Sequence, residues 1–166
     1  MIELTIQCPG LNAAAAIHGR APEEFEQMLE AGMLEVAEAC RGDVVDTIDD
    51  MGLTVMGNLQ SGCMAGVRHH AHDIMGVVSW EGPAKVYAAP VNYGTKPHTP
   101  PMAPLKRWAY LRFGDESIGI RVWQTIRKKG TKGKHFVAYA LARFRGVPEV
   151  ILSARVKAFL RRYGRH

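Results

Sequence analysis

Acidic residues almost vanish from the second half of this chain. Residues 84–166 hold three of them (Asp115, Glu116, Glu149) against 18 lysines and arginines, whereas residues 1–83 hold 13 acids and three cations. The net charge of +5 therefore conceals halves of −10 and +15. Such a division is seldom needed by a cytoplasmic enzyme. It suits a subunit that repeats in a ring, the acidic face of one copy meeting the basic face of the next. Two other readings stay open: the halves neutralise each other within one monomer, or the basic half meets nucleic acid. Cysteine is scarce as well. Cys8, Cys40 and Cys63 are odd in number and widely spaced, which suits free thiols in a reducing compartment better than a disulfide framework. No apolar run approaches the 18 residues or so of a membrane span, and no membrane association is expected. The start, Met1-Ile2-Glu3-Leu4-Thr5-Ile6, lacks the basic opening and apolar stretch of a signal peptide.

What is present reads as one α+β domain over residues 1–166. It divides into an N-terminal strand and loop (1–21), a core (22–145) and a basic C-terminal helix (146–166). Hydrophobic content of 47% and charged content of 22% are ordinary for a globular protein. Ile2–Gln7 alternates apolar and polar residues and is expected to be a strand ended by Pro9-Gly10. Ala13–Ala16 suits a short helix or an ordered loop. Pro22-Glu23-Glu24 opens a helix, with proline in the first turn and carboxylates at the positive end of the dipole. Phe25, Met28, Leu29, Met33, Val36, Cys40, Val44, Ile48 and Met51 then recur every three or four residues, so one long amphipathic helix runs to about Asp50. Its apolar stripe needs a sheet or helix to cover it.

Gly57–Gly66 reads as a loop with a helical turn at Asn58–Ser61. Val67–Trp80 is expected to be a strand, Glu81-Gly82-Pro83 a turn, and Ala84–Tyr93 the antiparallel partner, on the strength of Val86, Tyr87, Val91 and Tyr93. Gly94 breaks that strand. Pro97, Pro100, Pro101 and Pro104 forbid continued pairing and lead into a helix over Leu105–Phe113, stopped by Gly114. Asp115 caps the next helix, with Ile118, Val122 and Ile126 on one face and Arg127-Lys128-Lys129-Gly130 at its end. His135–Phe144 is a further helix closed by Gly146. Pro148 opens the last, with Val150, Ile151, Ala154, Phe159 and Leu160 apolar and Gly164 at its end. The sum is a small, mostly antiparallel sheet packed by a long N-terminal helix, with a helical basic C-terminal third.

Catalytic constellations do not rise above background. His69, His70 and His72 with Asp73 tempt a zinc reading, completed by His98 or Cys63. However, Asp73 falls on the strand face opposite His70 and His72, and neither H-E-x-x-H nor paired C-x-x-C is present. Gly130-Thr131-Lys132-Gly133-Lys134 lacks phosphate-loop spacing, and His135 stands where serine or threonine belongs. Ser61 and Ser79 have no nucleophile elbow around them. Trp108 and Trp123 default to core packing, with an interface role as the alternative. No cofactor and no enzymatic activity are expected.

Four segments in order resemble the tail-completion or neck proteins of long-tailed bacteriophages. They are Gly57, Leu59 and Gly62 after Met56; then Tyr87, Ala88, Val91, Tyr93, Gly94 and Thr95, with Asn92 where that family usually has an acid; then Pro101, Pro104, Leu105 and Trp108; and finally Ile126, Gly130 and Thr131. Met56 stands where the family has a capping threonine. The resemblance spans about residues 22–141 and places a β-hairpin ending in the Tyr87–Thr95 stretch. It implies a structural virion protein, assembled in the host cytoplasm, that forms a homo-oligomeric ring at the neck or head-proximal tail. Its partners would be connector or head-completion proteins on one side and tail tube or tail terminator proteins on the other. Genomic DNA would pass through the channel without specific binding. On that reading Thr95, Lys96, Pro97, His98, Pro100, Pro101 and Met102 form an intersubunit arm, whose prolines limit the entropy lost on docking. Arg155, Lys157, Arg161, Arg162 and Arg165 form a basic helix for a neighbour's acidic helix. The alternative is a small basic nucleic-acid-binding protein that uses residues 121–165.

Overall fold

A computed structural model describes residues 2–6, 22–53, 58–70 and 73–163. Cys8, Pro9-Gly10, Ala13–Ala16, Met56, Gly57, His72, Gly164 and Arg165 lie outside the described residues.

The chain is an α+β domain. Strand β1 (Glu3–Ile6) is followed by the long helix α1 (Pro22–Asp50), the single turn α2 (Asn58–Ser61), and strands β2 (Cys63–His70) and β3 (Asp73–Trp80). Then come α3 (Ala84–Tyr93), the short strand β4 (Gly94–Thr95), α4 (Met102–Phe113), α5 (Glu116–Lys129), β5 (Thr131–Lys132), α6 (Phe136–Phe144) and α7 (Val147–Tyr163). β1, β3 and β2 form an antiparallel sheet with β3 in the middle, Leu4 opposite Val78 and Ala65 opposite Val78 from the other side. β4 and β5 make a separate two-stranded clip.

Helix α1 is the centre of the molecule. Met33, Val36, Ala37, Cys40, Val44 and Ile48 are all fully or nearly fully buried, at three- and four-residue spacing, as one stripe requires. They pack with Cys63, Val78 and Trp80 of the sheet, Ala84 and Ala88 of α3, Phe136, Ala140 and Phe144 of α6, and Leu152 of α7. Phe25 and Leu29 extend the stripe onto Phe159 of α7, where the rings of Phe25 and Phe159 meet edge to face with centroids 5.3 Å apart. Trp80 and Phe136 make a similar contact at 5.8 Å, and the Trp80 indole N–H donates to the Leu59 carbonyl at 3.0 Å.

The expected helix ends hold. Asp115 accepts from the Ser117 N–H at 2.8 Å and from the Ser117 hydroxyl at 2.7 Å, which together hold its carboxyl below the usual range. Gly114, at φ 72° and ψ 5°, closes α4 with its N–H on the Tyr110 carbonyl.

Two expectations fail. The hairpin is β2–β3, with its strands at 63–70 and 73–80, so Val67–Trp80 is not one strand. Ala84–Tyr93 is not its partner but helix α3, contrary also to the hairpin that the phage resemblance implies. In α3 the buried residues are Ala84, Ala88 and Asn92, at helical spacing, while Val86 (78% exposed) and Tyr93 (64%) point to water. Of the four residues that suggest a strand, Tyr87 and Val91 are half-buried against the core at helical spacing, and Val86 and Tyr93 are left outside it. Pro90 costs α3 one backbone bond, and the helix ends within its next turn. Of the apolar residues on α7, Val150 is 69% exposed and Leu160 39%, whereas Leu152 and Phe159 are buried. The partner surface runs along α1, which sets α7's rotation.

Truncating Ile48→Ala is expected to cost about 2–5 kcal/mol in urea denaturation, since a fully buried side chain leaves a cavity. Val150→Ala should stay within about 0.5 kcal/mol of the parent. A comparable loss at both positions would contradict the placement of α7.

Candidate functional site

The clip brings together two segments that lie far apart in sequence. Gly94 pairs with Lys132 and Thr95 with Thr131, and the two threonine hydroxyls sit 3.0 Å apart. The backbones approach so closely that a Cβ on Gly130 would lie 1.9 Å from the Thr95 carbonyl oxygen, and one on Gly94 would lie 2.3 Å from that of Thr131. Both glycines also adopt extended left-handed backbone, φ 80° and ψ −177° at Gly94, φ 74° and ψ −159° at Gly130. That region is essentially closed to other residues. Each is glycine for two independent reasons.

Beyond the clip, the end of α3 holds the start of α6. The carbonyls of Val91 and Asn92 accept from the Lys134 and His135 N–H groups, both at 2.9 Å. The Asn92 side-chain oxygen accepts from the Val137 N–H at 3.0 Å. His135, the residue at the N-cap of α6, makes no side-chain cap of its own. Asn92 supplies from another helix the acceptor that an N-cap residue normally gives. It is 3% exposed, so the bond is shielded from water. A carboxylate there could accept the same bond at the positive end of the helix dipole, against the cost of burying its charge.

Helices α4 and α5 form a hairpin packed closely on itself, where a Cβ on Gly119 would meet the Leu105 carbonyl at 2.7 Å. Arg112 ties it to the end of α1, its guanidinium donating to the Gly52 carbonyl at 2.9 Å. Between this hairpin, α3, the clip and the end of α1 opens a groove of about 720 Å³. Met51, Leu53, Tyr87, Val91, Leu105, Trp108 and Val122 line it and are half-buried. His98, Arg112, Lys132 and Lys134 line it and are exposed. No Asp or Glu is among its described lining residues. Burial raises the Tyr87 phenol above its ordinary range, an effect partly offset by a side-chain hydrogen bond with Asn58.

The expected arm lies along this groove. Lys96, Pro97, His98, Pro101 and Met102 are exposed, Thr95 belongs to the clip, and Met102 already begins α4. Pro100 is half-buried and anchors the arm, its carbonyl accepting from the Trp123 indole N–H at 2.8 Å. His98 Nδ1 lies 2.9 Å from the Lys96 carbonyl. Trp108 is half-buried in the groove and Trp123 half-buried above Pro100, so neither is the full core residue expected.

The basic helix is split in role. Arg155 is bonded to Glu35 of α1 at 2.7 Å, while Lys157 and Arg161, one turn apart, are exposed. Arg143 of α6 likewise pairs with Asp50 at 2.8 Å and reaches Asp43 at 4.0 Å. Part of the charge division is therefore consumed inside the monomer. Lys128, Lys129, Lys132 and Lys134 have no carboxylate within 4.0 Å among the described residues.

Among the described residues no three His, Cys, Asp or Glu side chains gather to hold a metal. His69 instead lies 3.4 Å from Glu30 of α1. Cys40 and Cys63 are core residues. Burial, with the Asp43 charge second, pushes the Cys40 thiol up to about 11, and burial dominates at Cys63, pushed up to about 12. Both stay protonated and inert at neutral pH.

No family model matches this chain, and no curated protein or solved structure shows significant similarity to it.

The groove escapes sequence reasoning because its lining comes from five separate stretches. Three of its lining residues carry a signal in the sequence: Thr95 and His98 belong to the expected arm, and Trp108 has an interface role as the alternative to core packing. Gly130→Ala should unlatch the clip at a cost of about 3 kcal/mol, whereas Gly66→Ala, with open space around its Cβ, should be nearly neutral in thermal denaturation. Asn92→Ala should cost about 1–2 kcal/mol and raise amide exchange at Val137, while Asn92→Asp should retain most of the stability. Equal losses in the two Asn92 variants would contradict the cap.

Proposed function

We propose that this chain is a structural virion protein of the bacteriophage neck or tail-completion type. It forms a ring that joins the filled head to the tail or closes the head-proximal tail end, and acts through surface contact without chemistry. What supports the reading is that residues of the four resembling segments meet in space, the second of them on a helix where the resemblance implies a hairpin strand. Leu59 accepts from Trp80, and Gly62 lies where a Cβ would meet Ala84 at 2.6 Å. Tyr87 and Ala88 are on α3, Gly94 and Thr95 pair with Lys132 and Thr131, and Leu105, Trp108 and Ile126 line the groove beside them. Residues scattered over about 75 positions thus build one framework. A framework common to a set of subunits would impose the same residues on each of them.

Ring contact is assigned to the charges that the monomer does not consume. Lys157 and Arg161 face outward on α7, and Glu23, Glu24, Glu26 and Asp46 are exposed on α1. Charges of both signs left unpaired on one subunit can meet their opposites on a neighbour, and a closed rotation makes a ring. Loops stiffened by proline, as the arm is by Pro97, Pro100 and Pro101, dock at a lower entropic cost.

The nucleic-acid reading keeps one specific support. Lys128, Lys129, Lys132 and Lys134 form a run of cations at the end of α5 and on the clip, unopposed by acid among the described residues. Each phosphate they neutralised would add salt-dependent affinity, which suits a stable complex better than a passage for moving DNA.

Reversing Lys157→Glu with Arg161→Glu should dissolve oligomers seen by sedimentation velocity, or prevent incorporation into particles if the isolated chain is monomeric. Unchanged assembly, or absence of the chain from finished particles, would sink the ring. Mobility shift with duplex DNA separates the two readings: tight binding by the isolated chain, falling steeply with salt, would favour nucleic acid.

A further inference from the structure

We infer that the groove between α3, the clip and the α4–α5 hairpin is a docking site for a segment of a partner protein that presents apolar side chains flanked by carboxylates. Such a segment can belong to a virion component or to another partner, so the site does not depend on the proposed function. Three observations bear on its occupant.

The floor is apolar and mostly aliphatic. Met51, Leu53, Leu105 and Val122 outnumber the aromatic Tyr87 and Trp108, and all six are half-buried, with area still to lose to a partner. Stacked bases want a run of aromatic faces and a tracked backbone, whereas branched aliphatic walls suit leucine- or phenylalanine-like anchors.

The rim carries one sign only. Lys132 and Lys134 are exposed, have no carboxylate partner among the described residues, and are held by main-chain bonds. Lys132 is paired with Gly94 in the clip, and the Lys134 N–H is on the Val91 carbonyl. Their backbone is pre-organised, so less ordering entropy is lost on binding. His98 and Arg112 add to the same rim, and no acid lines the groove among the described residues. An apolar segment without carboxylates would leave these cations partly desolvated and unpaired, which discriminates against it.

A second copy is a poorer fit. Its acidic helix α1 can offer charge, but the apolar stripe of α1 is buried, and among the described residues Leu34 is the large apolar side chain that α1 leaves exposed. One anchor does not fill a groove of about 720 Å³.

The test uses the full chain, immobilised and exposed to a displayed library of random twelve-residue peptides. Enriched sequences are then synthesised with a fluorescent label for anisotropy. The expected consensus places Asp or Glu beside Leu, Ile, Phe or Trp, with binding that weakens as salt rises. Lys132→Glu with Lys134→Glu should weaken it at least tenfold, as should Val122→Glu. The lysines are exposed, so their double variant should fold and keeps the test decisive if Val122→Glu does not. No enrichment, a consensus without acids, or affinity unchanged in the double variant would overturn the inference. Displacement of the peptides by a twelve-residue oligothymidylate, itself weakened by these substitutions, would assign the groove to single-stranded nucleic acid and overturn it too. So would self-association that the same substitutions abolish, since the occupant would then be a second copy.

Discussion

Everything in this molecule leans on the apolar stripe of α1. Val36, Ala37, Cys40, Val44 and Ile48 show no exposure at all, and the sheet, α6 and α7 each pack against the helix that carries them. Close packing on all sides turns the helix's own phase into a constraint on every neighbour. It places β3 in the middle of the sheet, where a Cβ on Gly76 would lie 3.0 Å from the Met33 carbonyl. It fixes the rotation of α7, so that Leu152 and Phe159 face inward and Val150 does not. The helix is closed by Gly52, at φ 60° with the Leu53 N–H on the Ile48 carbonyl, which leaves Met51 and Leu53 on the groove and the Gly52 carbonyl to accept from Arg112.

The clip is the second constraint, and it is steric. Two backbones meet closer than any Cβ permits, at Gly94 and Gly130, and this contact links the end of α3 to the end of α5. With Asn92 capping α6 from the side, one short region governs the placement of α3, α5 and α6. The residues that carry the resemblance to neck proteins are concentrated in this region. Their first duty is to the fold, and a likeness resting on them speaks to architecture before it speaks to assembly. Several of them, Tyr87, Thr95, Leu105, Trp108 and Ile126, also line the groove proposed as a docking site.

Electrostatics divides along the same lines. Arg143 and Arg155 join the basic third to the acidic helix inside one chain, through pairs that are substantially exposed. Such pairs contribute about 0–1 kcal/mol each, so their role is to fix relative placement more than to stabilise. The cations at the end of α5 and on the clip have no such counterpart among the described residues. A surplus of charge of one sign on rigid backbone is open to a partner, and the proposed groove draws on its clip members, Lys132 and Lys134.

The sequence by itself determined the parts governed by neighbours a few residues away. The stripe of α1 repeats every third or fourth position, Asp115 caps its own helix, Gly114 and Gly130 end theirs, and the charge division is a matter of counting. Only the tertiary structure decided between strand and helix for Ala84–Tyr93, because that stretch carries enough apolar residues for either, and the choice rests on whether Ala88 and Asn92 or Val86 and Tyr93 meet the core. It alone decided that Arg155 meets Glu35 and that five distant stretches enclose one groove. Local signals act through backbone torsions and single turns; pairings across 60 or 120 residues become visible only once packing has fixed which faces meet.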